Sequence, residues 1–361
     1  MYDLLIANGT VIDPHLRLHA LRHVAIAGGR VQMLLEGALP PAVQVLDAAG
    51  LLVTPGFIDL HAHFYEGVSF LGLDPDRTCL THGVTTAVDA GTAGAQTFPG
   101  LRRYVMERCR TRLYALLNIS GMGMLAESIG ELLDMRWADP DWAIATAREH
   151  RDCVVGLKVR VGRQIVGEED LEAVRRTRRA ADALALPIMV HIGKSAHPLP
   201  DILALLAPGD VVTHCFTAKQ PNILDDRGRV LEAAWEARRR GVRFDVGHGM
   251  GSLGFPVAAA ALEQGFLPDT VSSDLHALSV NGPAFDLVTT VTKFWHLGLS
   301  LDEAIARVTV RPAQWLGRLG EIGTLAPGAC ADVALWAVEE GSFPLRDAEG
   351  EVRHAAHRLV P

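Results

Sequence analysis

A handful of residues in this chain could hold or move charge at one place: His61, His63, Lys158, His191, His214, His248 and Asp274. Each closes a short apolar run, in "FIDLHAH", "VVGLKVR", "IMVHIG", "VVTHCF", "FDVGHG" and "VSSDLH". Imidazole nitrogens and a carboxylate brought together suit a divalent cation of the zinc type. His61 and His63 are spaced i, i+2, so on a strand both rings face the same side. Two neutral imidazoles there could chelate one ion; the plainer alternative is a hydrogen-bonded pair of core histidines.

Lys158 is the least expected of the set. A lysine inside a buried strand is desolvated and shifts toward its neutral amine. A neutral amine can take up carbon dioxide as a carbamate, a two-oxygen anionic ligand able to bridge two ions; a buried ion pair or a snorkelling side chain would also explain it. Arg160, two residues on, faces the same side and could grip a substrate carboxylate, or pair with Glu66 or Asp89 at the barrel mouth. Asp274 could act as ligand and as general base, passing a proton from the attacking water to the leaving group; a helix cap is its plainer role. His276, His248 and Tyr65 are candidate substrate contacts. Lys194 and His197 in "HIGKSAHP", and Glu66 beside Tyr65, lie close to these ligands without an evident role.

Something must bring these run ends together. The middle of the chain alternates eight apolar runs with helix-patterned stretches such as "EEDLEAVRRTRRAADAL", and 213 residues separate His61 from Asp274. That is about thirty residues per strand-helix unit, the size a (β/α)8 barrel takes. Active sites of such barrels gather at the C-terminal ends of the strands, where these residues lie. A doubly wound open sheet is disfavoured, because it gives no reason for polar residues at nearly every strand end. The first fifty residues read instead as short β runs split by Asn-Gly, Gly-Gly and Ala-Gly turns, and "GTLAPGACADVALW" repeats that character. The expected fold is therefore α/β: a (β/α)8 TIM barrel over 55–319, with a small antiparallel, sandwich-like β domain formed by both chain ends, 1–54 and 320–361.

Composition narrows the partners. The 361 residues carry a net charge of -8, against a basic nucleic-acid footprint. "RRTRRA" and "ARRRG" read as solvated helix faces. Five widely spaced cysteines without a CxxC fit reduced thiols. With neither a signal peptide nor a membrane span in evidence, the expectation is a cytoplasmic homo-oligomer that acts on a small molecule and meets no nucleic acid or membrane.

Taken in order, "PGFIDLHAH", the lysine of "GLKVR", the histidines of "MVHIG" and "VTHCF" and the aspartate of "SSDLH" resemble the amidohydrolase superfamily, within it the dihydroorotase-like amidohydrolase/deacetylase metallohydrolases. The resemblance spans nearly the whole chain. It implies two divalent ions, usually zinc: His61, His63 and Asp274 on one, His191 and His214 on the other, carboxylated Lys158 between them. It also implies that a metal-bridging hydroxide releases an acyl group from a small carboxylate-bearing molecule such as an N-acyl amino acid or an O-acetyl 2-hydroxy acid. A cyclic amidase of the dihydroorotase or hydantoinase kind is the alternative, and a non-catalytic scaffold a third.

Overall fold

The computed structural model describes residues 1–361. Seven strands of the middle region form one curled parallel sheet: β6 (Phe57–Ala62), β7 (Val84–Gly94), β8 (Arg112–Asn118), β9 (Val154–Arg160), β10 (Ile188–His191), β11 (Val211–Thr213) and β12 (Arg243–Phe244). They pair in chain order, so each strand lies beside the next. All six residues of β6 are buried, as a parallel strand covered on both faces requires.

The eighth position is filled by residues 270–275, which form no regular strand. One isolated parallel bridge joins Thr270 to Asp245 and another joins Leu275 to Ala62. On the β6 side the Asp274 N–H donates to His61 O at 2.7 Å and the His63 N–H to Leu275 O at 2.9 Å. Side chains finish the closure: the Asp59 carboxyl takes both the N–H and the hydroxyl of Ser273, and Asp245 takes the hydroxyls of Thr270 and Ser272. On the β12 side Val246, His248 and Gly249 donate their N–H groups to the carbonyls of Thr270, Ser272 and Ser273, so short backbone links and side chains together make the join.

Helices cover the barrel. In Asp170–Leu184 the buried residues include Ala173, Val174, Thr177, Ala180, Ala181 and Leu184, a helical stripe. Arg175 and Arg179 are exposed, whereas Arg176 reaches Glu172 and Arg178 reaches Asp182 and the buried Asp210. The run is a charged helix face that is solvated only in part.

Both chain ends build the second sheet: β1 (Tyr2–Asp13), β2 (Leu18–Ala27), β3 (Arg30–Leu35), β4 (Ala42–Asp47), β5 (Leu52–Pro55), β13 (Val333–Arg346) and β14 (Val352–Val360). It is a single sheet of order β14-β13-β5-β1-β2-β3 with β4 also on β1, and it is mixed: β1 runs parallel to β4 and β5. The antiparallel expectation holds for β1–β2, β2–β3 and β13–β14, where short turns such as Gly28–Gly29, both at positive φ, join neighbours, and for β5–β13, which meet from opposite ends of the chain. The ring of Trp336 on β13 stacks on Phe57 at 4.4 Å, fastening this sheet to the first barrel strand. Beyond it, the turn at 347–351 reaches the barrel, where Asp347 accepts the N–H of Phe255.

Candidate metal centre

β6 delivers His61 and His63 to the barrel interior, and Asp274 arrives across the closure. His61 Nε2 and His63 Nε2 stand 3.2 and 3.1 Å from Asp274 Oδ1, so three buried donors offer atoms within 4.8 Å of one another. The outer nitrogens are held: His61 Nδ1 meets Thr213 Oγ1 at 2.9 Å, and His63 Nδ1 meets Thr92 Oγ1 at 2.8 Å. Thr213 donates in turn to Asp245. Such outer hydrogen bonds fix ring orientation and leave the inner nitrogen free as a ligand.

Lys158 Nζ, fully buried, lies 3.2 Å from His61 Nε2. Burial brings its amine down to about 7, so a neutral form is accessible near neutral pH. A Cβ on Gly91 of β7, two strands away, would sit 2.6 Å from the Lys158 Cβ, so glycine there leaves the lysine room inside the barrel. His191 and His214 come from adjacent strands and meet edge to face with centroids 4.1 Å apart. His214 Nδ1 is bonded to Gly247 O at 2.7 Å, whereas its Nε2 is buried without any partner. An unpartnered buried nitrogen is costly, and here it belongs to the ring cluster itself.

Burial lowers His61 and His191 well below the ordinary histidine value and His214 to about 4, so these rings are neutral, the state a metal ligand needs. Burial alone would raise Asp274, but His61 and the hydrogen bond with His63 hold it well below the usual carboxylate range. The donor set therefore fits a divalent cation. Three of the seven non-glycine residues at positive φ lie here: Lys194, His214 and Asp274. A left-handed residue with a side chain costs about 1–2 kcal/mol, and such strain tends to collect at functional sites.

A cavity of about 230 Å3 opens onto His61, His63, Lys158, His191 and Asp274, with Arg160 and His276 on its wall. Its size suits a small molecule. The Amidohydrolase family pattern matches residues 52–350. The chain belongs to the amidohydrolase family. It is 35% identical to a deacetylase of Agrobacterium fabrum over 89% of this chain and 79% of that one. A deacetylase of Enterococcus faecalis is 33% identical over 100% of this chain and 96% of its own length. Among solved structures, one titled as an adenine deaminase has a TM-score of 0.92 at 32% identity, covering 100% of this chain and 97% of that one. One titled as a dihydroorotase has a TM-score of 0.91 at 32% identity, covering 99% and 96%. This amidohydrolase is thus a hydrolytic enzyme of a family that generally uses metal ions, and its His-His-Asp group could bind one.

Not every candidate contact reaches the cavity of this amidohydrolase. Arg160 pairs with Glu131, rather than with Glu66 or Asp89. Asp89 instead accepts the backbone N–H groups of Phe64 and Thr92. Tyr65 is turned away from the cavity, its hydroxyl donating to Thr97 O at 3.1 Å, because Gly100 leaves room for it there. His248 is also off the cavity wall. It sits between two left-handed glycines, Gly247 and Gly249, which break strand alternation and swing its ring outward to Lys293, 2.6 Å away. His197, beyond β10, pairs with buried Asp170.

In sequence Lys293 is marked only as a lone lysine among "VTTVTKFW", because its helix reads as an ordinary amphipathic pattern. Glu131, Asp59 and Asp245 carry no local signal either. Burial brings Lys293 down to about 7 from 10.5. Between those pH values the unfolded chain holds a proton that the folded chain lacks, so folding stability rises with pH across that window. Wild type is expected to gain on Lys293→Met by up to about 1.4 kcal/mol per pH unit between 7 and 10. Thermal unfolding of both proteins at several pH values checks it; parallel curves would refute it.

Proposed function

We propose that this amidohydrolase is a binuclear metal-dependent acyl hydrolase. It removes an acyl group, by amide or ester cleavage, from a small carboxylate-bearing molecule such as an N-acyl amino acid or an O-acetyl 2-hydroxy acid. The observation that carries this is the buried cluster in which neutral imidazoles, an ionised Asp274 and a neutral-prone Lys158 meet. The deacetylases among its relatives support the acyl-transfer reading over other hydrolyses. In it residues 55–319 carry the chemistry, and 1–54 with 320–361 form the supporting domain.

His61, His63 and Asp274 would hold one zinc-type ion, His191 and His214 the other, and Lys158, carboxylated by carbon dioxide with release of a proton, would lie between. Bound there, a divalent cation lowers the pKa of water toward about 7 and polarises the acyl carbonyl. Asp274 Oδ1, already within 3.2 Å of both imidazoles, accepts the proton of the attacking water and returns it to the leaving nitrogen or oxygen. Thr213 and Thr92 keep the histidines aimed while this happens. His276, on the cavity wall, can hydrogen-bond the substrate near Asp274. The enzyme works in the cytoplasm as a homo-oligomer in this proposal.

Ring opening is the second reading, favoured by the likeness to a dihydroorotase structure. The zinc-loaded enzyme is to be assayed with a panel of N-acyl and O-acyl carboxylic acids, with dihydroorotate and hydantoins, and with adenine. Release of free acid from the acyl panel is expected. Turnover confined to the rings, or to ammonia release from adenine, would sink the acyl-hydrolase assignment.

A further inference from the structure

The chain has 30 arginines and only four lysines. Three of the four, Lys158, Lys194 and Lys219, line the cavity that holds Asp274, and the fourth is the buried partner of His248. Cations elsewhere are arginines. A lysine differs by being a compact point charge on a flexible stem, so its use at this cavity calls for a reason.

The cations of the cavity are not equivalent. Arg160 is neutralised by Glu131. Lys219 Nζ is 2.6 Å from Glu349, which the 347–351 turn brings to the rim. Lys158 lies among the imidazoles. Lys194 pairs with no carboxylate, neither Asp274 nor Glu127 of the same wall coming within ion-pair distance. Its main chain is nevertheless pinned: its N–H donates to Gln220 O at 3.1 Å and its carbonyl accepts from Arg163 N at 3.0 Å. That leaves it left-handed, φ 57°, where glycine would be unstrained. It shares this conformation with His214 and Asp274. Lys194 thus combines a left-handed backbone, an unpaired ammonium and a place on the cavity wall.

We propose that Lys194, and not Arg160, receives the substrate's carboxylate and so sets specificity for acyl derivatives of monocarboxylic acids. Phe70, Leu71, Met250 and Leu278 on the same wall suit an apolar substituent on that acid. The inference rests on the acyl-hydrolase function proposed above. It replaces the guanidinium expected from sequence with an ammonium, because Glu131 already occupies the guanidinium.

The test compares N-acetylleucine with its uncharged methylamide, both enantiomers of each, on zinc-loaded wild type, Lys194→Gly, Lys194→Arg and Lys219→Met. In Lys194→Gly, kcat/KM for the acid is expected to fall about 10- to 100-fold, mainly through KM. The methylamide should be unaffected, read as turnover or, where turnover is too slow, as its inhibition constant against the acid. Lys194→Gly should melt at the wild-type temperature or above, which separates lost recognition from lost folding. Lys194→Arg should recover part of the acid activity, and Lys219→Met should change it by at most about fivefold. Equal losses on acid and methylamide, or an undiminished acid reaction in Lys194→Gly, would overturn the proposal. If wild type hydrolyses no member of the acyl panel, the proposed function falls and this inference with it; an active wild type indifferent to Lys194 removes the inference alone.

Discussion

Asp274→Asn is expected to lower kcat on acyl acids by roughly 10²- to 10⁴-fold, the contribution of a positioned general base, while leaving the fold intact. Asparagine has nearly the same shape, tolerates the left-handed backbone at this position and keeps an oxygen facing His61 and His63. It also fits the tight approach of Gly249, where a Cβ would lie 2.2 Å from Asp274 Oδ2. What it loses is the ability to accept a proton. Steady-state kinetics with metal analysis of the same preparation check this. The expected outcome is a kcat loss at nearly constant metal content; retained kcat would move the base to His276, which burial lowers to about 4 and so leaves neutral at pH 7.

Lys158→Met should be still more disruptive to function and less so to folding. Methionine can occupy the space beside Met189, which the lysine now contacts through Nζ at 3.5 Å from the sulfur, and it removes a fully buried amine. Removing such a group relieves a desolvation cost, so the metal-free variant is expected to melt at or above metal-free wild type. Bound metal should fall from two ions per chain to one or none, and acyl hydrolysis to background. Elemental analysis after zinc loading decides: two tightly held ions in Lys158→Met would eliminate the bridging role.

The parts of this site legible in sequence are those governed by strand periodicity. His61 and His63 follow from the alternation of β6, and Lys158 from an apolar run that a cation has no ordinary reason to interrupt. Periodicity fails where the backbone is irregular. His248, between two left-handed glycines, and Tyr65, past the end of β6, have directions that no period sets. Glu131 comes from the long connection after β8, so its pairing with Arg160 is a tertiary fact with no local trace. The mixed order of the second sheet is similar: β1 joins β4 and β5 side by side in parallel because of long-range packing, although its tight turns suggest hairpins alone.

The irregular eighth segment carries one more implication. Asp274 lies in that segment and His61 and His63 at the end of β6, on opposite sides of a join with a single backbone bridge. Any ion they share is therefore a staple across a seam, and its binding energy becomes energy holding the barrel shut. Chelation would then loosen the cylinder along a single line, so that occupancy of the reaction centre and mechanical integrity of the scaffold are thermodynamically one variable.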